Sequence, residues 1–315
     1  MTLSNSGRTT VLAILSCAIL LLCASLNSPL AAQESTDEET EEVPVESTIG
    51  AKTEEQQEEA GSLAKAAQNP IAALVSMPLQ YNINDGVGEF ERVQATLNIQ
   101  PVVPFKLGEK ANLVTRTIIP VTSVPIGEVD SVVGMGDIQW TGFYSPRARG
   151  GLSFGIGAQV NLPTASNQEI LGSGKWSAGP SAVLFYGVGK WTLGGVASNV
   201  WSLADASSSP VNREDVNFFF AQWFVNYNFG KGLALGTAPI ITCDWNYETM
   251  DSVEGMNDDQ CTIPLGLQIS KVTFAGSQPL NILLGYYQNV YHPINGSENQ
   301  FRIQVNFMFP VKPKK

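Results

Sequence analysis

The C-terminal segment of the chain alternates between apolar and polar side chains almost without interruption. Residues 301–309 read Phe-Arg-Ile-Gln-Val-Asn-Phe-Met-Phe. Because the side chains of a β-strand point to opposite faces with a period of two, Arg302, Gln304 and Asn306 share one face and Phe, Ile and Val the other. A soluble sandwich would bury the apolar face, whereas an outer-membrane barrel turns it toward lipid. The choice between these two architectures limits the functions that are possible.

The first 32 residues have the features of a secretory signal peptide. Arg8 precedes an apolar run over residues 11–26, and the sequence Leu-Ala-Ala at residues 30–32 offers a small-residue cleavage site before Gln33. A lipoprotein signal at Cys23 is the alternative, but the bulky Leu22 stands where a small residue is expected. Beyond this segment no apolar run reaches the length of a membrane-spanning helix. We therefore expect an exported protein that can cross a membrane only as a closed barrel.

The acidity of the chain is concentrated in one segment. The net charge is −11, and residues 33–60 contain eleven acidic residues and one lysine. This segment lacks aromatic residues, so we predict a disordered acidic tail, either a solvated spacer or a partner-binding tail. Charged residues make up only 15% of the chain, which favours a membrane β-barrel over a helical enzyme. The sequence contains no basic patch of the kind that would indicate a nucleic-acid partner.

The sequence predicts an all-β fold, a single closed antiparallel transmembrane barrel of about twelve strands over residues 78–310. Residues 61–77 are predicted to form a short Ala-rich helix, broken at Pro70, that serves as a lead-in or plugs the lumen. The predicted strands are residues 78–84, 91–107, 113–124, 137–145, 152–163, 176–186, 191–202, 216–229, 233–243, 262–274, 280–291 and 300–309.

The predicted connections alternate in length along the chain. Short turns follow the even strands, at residues 108–112, 146–151, 187–190, 230–232 and 275–279, and longer loops follow odd strands, at residues 125–136, 164–175, 203–215 and 244–260. Outer-membrane barrels segregate short periplasmic turns from long outer loops in this way. We therefore expect both termini, including the basic tail at residues 311–315, to be periplasmic, and the acidic long loops to face outward.

Two cysteines remain after removal of the predicted signal peptide. Cys243 and Cys261 flank a segment of seventeen residues between two predicted strands. Because export permits disulfides and a hairpin would place the two residues nearly opposite each other, we predict a disulfide. A metal site would need more ligands, and His292 is the only histidine of the chain. We expect neither a metal nor a cofactor.

Motifs for nucleotide binding and catalysis are incomplete. Residues 172–175 resemble the end of a phosphate loop, but Trp176 replaces the required Ser or Thr and Glu169 replaces the first Gly. His292 lies in a short segment with Ser297, and a catalytic pair would need a hydrogen bond between them and a third, orienting group. An outer-membrane hydrolase using His292 is thus an unfavoured alternative, and we expect no enzyme.

An apolar-out barrel would direct a polar set of side chains into its lumen. Amides can replace water around an uncharged polar solute, and the arginines would add local positive charge; alternatively, the same side chains fill the barrel. We predict a channel for passive passage of small, uncharged or weakly polar molecules, with a non-conducting structural or surface-interaction barrel as the alternative. Its expected partners are the solute, outer-membrane lipid and the barrel-insertion machinery. The candidate lumen residues are Gln94, Asn98, Gln100, Arg116, Gln159, Asn161, Gln222, Asn226, Gln268, Arg302, Gln304 and Asn306.

Several segments resemble one bacterial outer-membrane family. These are residues 63–71 (LAKAAQNPI), 97–104 (LNIQPVVP), 116–121 (RTIIPV) and 171–176 (LGSGKW), together with the closing Phe-rich strand. The family is grouped with transporters of the phenol meta-degradation pathway, and some members carry the misleading label neuromedin U. The resemblance covers about residues 63–310 and implies a transporter-like barrel. The acidic tail and the loop between the cysteines depart from the family pattern.

Overall fold

The computed structural model describes residues 45–207, 213–247 and 259–310. The chain divides into two compact units, Met1–Glu54 and Glu55–Lys315. The predicted signal peptide, residues 33–44 of the acidic tail and the basic tail lie outside the described residues. Within the described part of the chain, no helix is both long enough and apolar enough to cross a membrane.

In the described part of the chain one helix, α1 (Val45–Gln68), precedes fifteen strand segments. Three strands are interrupted by two residues each, so the segments form the twelve strands that the sequence predicts. The strands are β1 Val75–Val87, β2 Arg92–Ile99 with Val102–Leu107, β3 Ala111–Ile126, β4 Asp130–Met135 with Ile138–Pro146, β5 Leu152–Leu162, β6 Lys175–Val188, β7 Trp191–Asp205, β8 Asn217–Gly230, β9 Leu233–Thr237 with Ile240–Asp244, β10 Cys261–Ala275, β11 Gln278–Tyr291 and β12 Asn299–Phe309.

The strands form one closed antiparallel barrel. Each strand pairs with its neighbours in the chain, and β1 closes the sheet by pairing with β12 from Val75 opposite Phe309 to Asp85 opposite Asn299. Closure leaves no open sheet edge, which would otherwise present unpaired N–H and C=O groups. The predicted fold class is confirmed.

The barrel is apolar outside and polar inside. On β12, Phe301 and Phe309 are exposed, whereas Arg302 and Asn306 between them are buried. Cross-strand partners share a face, so Gln80 of β1, which lies opposite Gln304, continues the polar inner row. A soluble barrel would carry the reverse distribution. The apolar-out assignment made from the C-terminal strand is confirmed.

The helix begins earlier than the sequence suggested. It includes residues 45–60 of the segment that we predicted to be disordered, and it ends at Gln68, well before residue 77. Glu, Gln, Ala and Lys, which dominate residues 51–60, are good helix formers, whereas the disorder prediction rested on the charge of the segment and its lack of aromatic residues. Asn69 and Pro70 then end the helix, and β1 already begins at Val75.

The predicted long loop at residues 125–136 is largely a hairpin, and this prediction was wrong. β3 continues to Ile126, Asp130–Met135 returns along it, and only residues 127–129 form the turn. The guanidinium of Arg92 ties the turn by donating to the carbonyl oxygens of Gly127 at 3.0 Å and Val129 at 3.2 Å. Val132 and Val133 are β-branched and favour the strand that the acidic composition obscured.

The outward orientation can be tested by placing a charge on the outer face. Leu267 in the middle of β10 is 64% exposed and lies opposite Tyr286 of β11. Leu267→Arg should destabilise the folded barrel by about 2–4 kcal/mol if this position is near the bilayer midplane. Urea unfolding of the protein refolded into lipid vesicles measures this loss, and Leu267→Ile is the matched control. An unchanged free energy of unfolding would show that this face does not contact lipid.

Candidate functional site in the barrel lumen

The barrel encloses a cavity of about 170 Å³, which we call the lumen cavity. Its wall consists of inward side chains of the strands and, on one side, of residues between Ala66 and Leu74, which comprise the end of the helix and the segment after it. Eight of the twelve candidate residues line this cavity. They are Gln100, Arg116, Gln222, Asn226, Gln268, Arg302, Gln304 and Asn306.

The other four candidates lie elsewhere in the interior. Gln159 is buried, accepts a hydrogen bond from Ser198 Oγ at 2.7 Å and donates to Asn161 Oδ1 at 3.0 Å. Gln94 accepts from Asn84 Nδ2 at 3.2 Å, and Asn98 lies opposite Gln80 in the register. These four residues do not line the lumen cavity.

Arg302 is the most buried charged side chain of the lumen cavity, at 2% exposure. Its Nη1 donates to the carbonyl oxygen of Ala238 at 2.9 Å, and its Nη2 donates to Gln300 Oε1 at 2.8 Å. The guanidinium also lies 4.7 Å from the ring centroid of Tyr287, close enough for a cation–π interaction. Tyr287 in turn donates from its hydroxyl to Gln268 Oε1 at 2.8 Å. The network fixes Arg302 in one orientation.

Among the described residues, Arg116 is held by Gln100, whose Oε1 accepts from Arg116 Nη2 at 2.6 Å. Gln100 and Pro101 are the two residues that interrupt β2, as Ala238 and Pro239 interrupt β9. Proline has no backbone N–H and cannot complete a strand ladder. Two of the three strand breaks, those in β2 and β9, therefore each provide a hydrogen-bond acceptor for one lumen arginine.

The recorded ion pairs of the described residues lie away from these arginines. They join Lys175 Nζ to Asp205 at 2.6 Å and to Asp215 at 3.3 Å, at the barrel end that carries the long loops. The hydrogen bond from Ser202, followed by that from Lys175, lowers the pKa of Asp215 below its usual value. The two lumen arginines thus donate hydrogen bonds to neutral acceptors, and among the described residues neither forms an ion pair with a carboxylate.

The end of α1 and the residues that follow occupy the barrel mouth at the short turns. Lys65 Nζ donates to the carbonyl oxygen of Gly189, in the turn between β6 and β7, at 2.7 Å. Gln68 accepts from Thr192 Oγ1 through its Oε1 and donates to Asn228 Oδ1 through its Nε2, the latter at 3.0 Å. These contacts attach the helix end to β7 and β8.

Apolar packing completes this attachment. Leu63 and Ala64 of the helix belong to one buried cluster with Val272 and Met308 of the barrel wall. Ile71 is 4% exposed and packs in the barrel interior in a second cluster with Val114, Phe143, Val183 and Val196. Residues 60–74, which we call the plug, therefore pack against the inner wall of the barrel beside the lumen cavity.

A second cavity, of about 730 Å³, lies at the end with the long loops, and we call it the vestibule. Its lining includes Asp137, Glu214, Asp215 and Asp244, together with Arg213. Backbone N–H groups of the loop after β5 donate to the Asp137 carboxylate, from Ala165 at 3.0 Å and from Ser173 at 2.7 Å. The vestibule is thus predominantly acidic, in contrast to the lumen cavity.

The predicted disulfide is present between Cys243 and Cys261. The two residues lie directly opposite each other at the ends of β9 and β10, with a Cα–Cα distance of 4.0 Å. Beside it, Trp245 donates from Nε1 to Asn199 Oδ1 at 2.9 Å. Residues 248–258 of the loop closed by this disulfide lie outside the described residues.

His292 does not form the hydrogen bond that a hydrolase would require, as far as the described residues show. Its Nδ1 lies 2.9 Å from the carbonyl oxygen of Pro293. The hydroxyl of Ser297 instead accepts from Asn289 Nδ2 at 2.8 Å. A nucleophilic serine needs a base within hydrogen-bond reach, so this arrangement does not favour catalysis.

Two kinds of comparison relate this architecture to known proteins. The model of the family described as "Putative MetA-pathway of phenol degradation" matches residues 72–259. The chain belongs to this family. No curated protein matches.

Solved structures give further matches. The COG4313 outer membrane channel from Pseudomonas putida F1 is 15% identical, with a TM-score of 0.56 over 75% of this chain and 96% of that chain. The NanC porin is 8% identical, with a TM-score of 0.47 over 75% and 100% of the two chains. The outer membrane phospholipase A from Escherichia coli is 11% identical, with a TM-score of 0.38 over 75% and 96%. The first of these shares the barrel fold of this family member.

Hydrogen bonding by Gln68 should determine how firmly the plug is held. Gln68→Ala removes its bonds to Thr192 and Asn228, so the free energy of local opening should fall by about 1–3 kcal/mol. Native-state hydrogen exchange of residues 60–74 measures this opening. Glu58→Ala, on an exposed position of the same helix, should leave the exchange unchanged. Equal protection in the Gln68→Ala protein would show that these bonds do not hold the plug.

The disulfide should affect its loop more than the barrel. Closing a loop of this size stabilises by roughly 3 kcal/mol in the chain-entropy model, but strand pairing already holds Thr242 opposite Thr262. Cys243→Ser should therefore leave the barrel folded and make residues 244–260 sensitive to protease. Limited proteolysis with mass spectrometry tests this, with Cys261→Ser as the matched variant. Cleavage within the strands instead would show that the disulfide supports the barrel itself.

Proposed function

We propose that this protein is an outer-membrane channel of Gram-negative bacteria through which small molecules cross passively. The observation that carries the proposal is the closed barrel with an apolar outer face and a polar lumen that contains a cavity. The apolar face would contact outer-membrane lipid after the barrel-insertion machinery has placed it there. The short turns and both termini would be periplasmic, and the acidic vestibule would open outward.

Aromatic side chains near both barrel ends support the membrane placement. At the short-turn end, Trp191 and Tyr227 pack edge to face with ring centroids 4.9 Å apart, and Phe229 is exposed. At the long-loop end, Trp176 and Trp201 are exposed on the outer face. Amphipathic rings at these two levels are typical of the aromatic girdles that flank the lipid-facing band of outer-membrane barrels. In this proposal they anchor the barrel and take no part in passage.

The lumen supports passage of a polar solute. A solute entering from outside would meet the vestibule, then the lumen cavity and finally the plug. Amides such as Gln222, Gln268 and Gln304 line the cavity and can donate and accept hydrogen bonds in place of water. The sequence favoured uncharged or weakly polar solutes. The similar solved structure from Pseudomonas putida F1 is described as an outer membrane channel, and at 15% identity it supports the fold on which this proposal is built.

The plug supports a second candidate, a non-conducting structural or surface-interaction barrel. Ile71 and the helix end fill the short-turn mouth, and a barrel that kept this arrangement permanently would not conduct. In that case the acidic long loops would carry the function by binding a partner. The two candidates differ in whether the plug moves.

Single-channel recording in planar lipid bilayers separates the two candidates. The refolded wild-type protein should give discrete conductance steps, and Ile71→Gly should increase the open probability because it removes the side chain that packs in the barrel interior. Leu267→Ile on the outer face is the control and should behave as wild type. If wild type and Ile71→Gly both remain sealed, the channel proposal fails and the non-conducting barrel is favoured.

A further inference from the structure

The charged residues that line the lumen cavity are both arginines, Arg116 and Arg302. A buried guanidinium is costly unless it is paired and fully hydrogen-bonded. Among the described residues, the recorded ion pairs involve Lys175 and not these arginines. Two like charges therefore share one small cavity, and their mutual repulsion adds to the cost of burial. A negative charge between them would relieve both effects.

The hydrogen bonds of the two arginines leave donors available. Nε of Arg302 is buried and has no hydrogen-bond partner among the described residues. Arg116 uses Nη2 toward Gln100, whereas a guanidinium has five N–H donors arranged as a fork. Because this fork matches the two oxygens of a carboxylate, an arginine with free donors favours that group over a spherical anion. Unpartnered buried donors are rare in folded proteins and call for a physical explanation.

The rest of the cavity limits the size and polarity of the ligand. Phe224, Leu283 and Val102 provide apolar surface in the same lining that contains the arginines. The volume of about 170 Å³ is comparable with that of an engineered cavity of about 150 Å³ that accepts benzene. A ligand of this site would thus combine one negative group with an apolar body no larger than a six-membered ring.

The vestibule limits the charge of the ligand. Asp137, Glu214, Asp215 and Asp244 line it, and an entering anion would be repelled in proportion to its charge. The ammonium group of Lys175 partly neutralises Asp215, and backbone N–H groups partly neutralise Asp137. A ligand with one negative charge would therefore meet a lower electrostatic barrier than a ligand with two. This argument favours a monoanion.

We infer that the lumen cavity is a binding site for a small organic monocarboxylate. Its carboxylate lies between Arg116 and Arg302, and its apolar body contacts Phe224 and Leu283. The inference rests on the proposed channel function and replaces the uncharged or weakly polar solutes expected from the sequence with a singly charged, amphipathic one. At this site the carboxylate would leave water, and the two guanidinium groups would compensate the cost of its desolvation.

Benzoate and benzamide test the inference because they have nearly the same shape and differ in charge. Isothermal titration of the refolded full-length barrel in detergent should give an affinity for benzoate at least about tenfold higher than for benzamide, since hydrogen bonds to charged groups are stronger than neutral ones. Arg116→Gln and Arg302→Gln should each remove most of this preference. Arg147→Gln, on an exposed turn, is the matched control and should retain it.

The heat-dependent gel shift of the barrel shows whether each variant is folded. If Arg302→Gln does not fold, Arg116→Gln still decides the role of the arginines, since it loses only the bond to Gln100. Equal affinities of the wild-type protein for benzoate and benzamide would overturn the inference, and so would a preference that persists in the folded Arg116→Gln protein. If the barrel conducts but binds benzoate and benzamide equally, the channel proposal stands and the inference fails. If the barrel is sealed but prefers benzoate, the channel proposal fails and the binding site stands.

Discussion

The pairing of β1 with β12 is the interaction on which the rest of the structure depends. The two strands pair along the whole length of β12, from Val75 opposite Phe309 to Asp85 opposite Asn299. In lipid no water is available to an unpaired N–H or C=O group, so a sheet can face hydrocarbon only if it closes on itself. Once it is closed, the period of two assigns each side chain to the outside or the lumen. An apolar outer face and a polar, charged interior follow from the same constraint.

The lumen cavity depends on places where this regular pairing fails. Pro101 and Pro239 each follow the residue whose acceptor holds an arginine, Gln100 in β2 and Ala238 in β9. A continuous ladder would engage the Ala238 carbonyl oxygen with the neighbouring strand, and the break leaves it free for Arg302. The plug is a second irregular element. Its Gln68 forms hydrogen bonds with the barrel wall, and its Ile71 packs in the barrel interior. Irregular backbone thus determines the site inside a regular wall.

The sequence predicted the fold better than the site, for a physical reason. Alternation is a local signal, so the strand at residues 152–163 and the closing strand could be recognised, and so could the inward side of Arg302 and Asn306. Gln300, a partner of Arg302, lies on the same strand, but the other two partners, Ala238 and Tyr287, are distant in the chain and neither has a local signature. Ile71 is an ordinary apolar residue whose position in the lumen follows only from the path of the plug. The hairpin at Asp130–Met135 was missed because glycine and acidic residues surround its two valines.

The plug and the candidate anion site share a boundary, and this links them energetically. Ala66, Ala67 and Gln68 line the same cavity as Arg116 and Arg302. A ligand whose affinity differs between the plugged and the open barrel must shift the plug equilibrium by the same factor, because coupling between two sites is reciprocal. A solute that gained most of its contacts from the plugged form would therefore close its own path. If the protein conducts as proposed, the arginines, which belong to the barrel wall, would have to provide most of the binding energy, since they would remain in place when the plug moved.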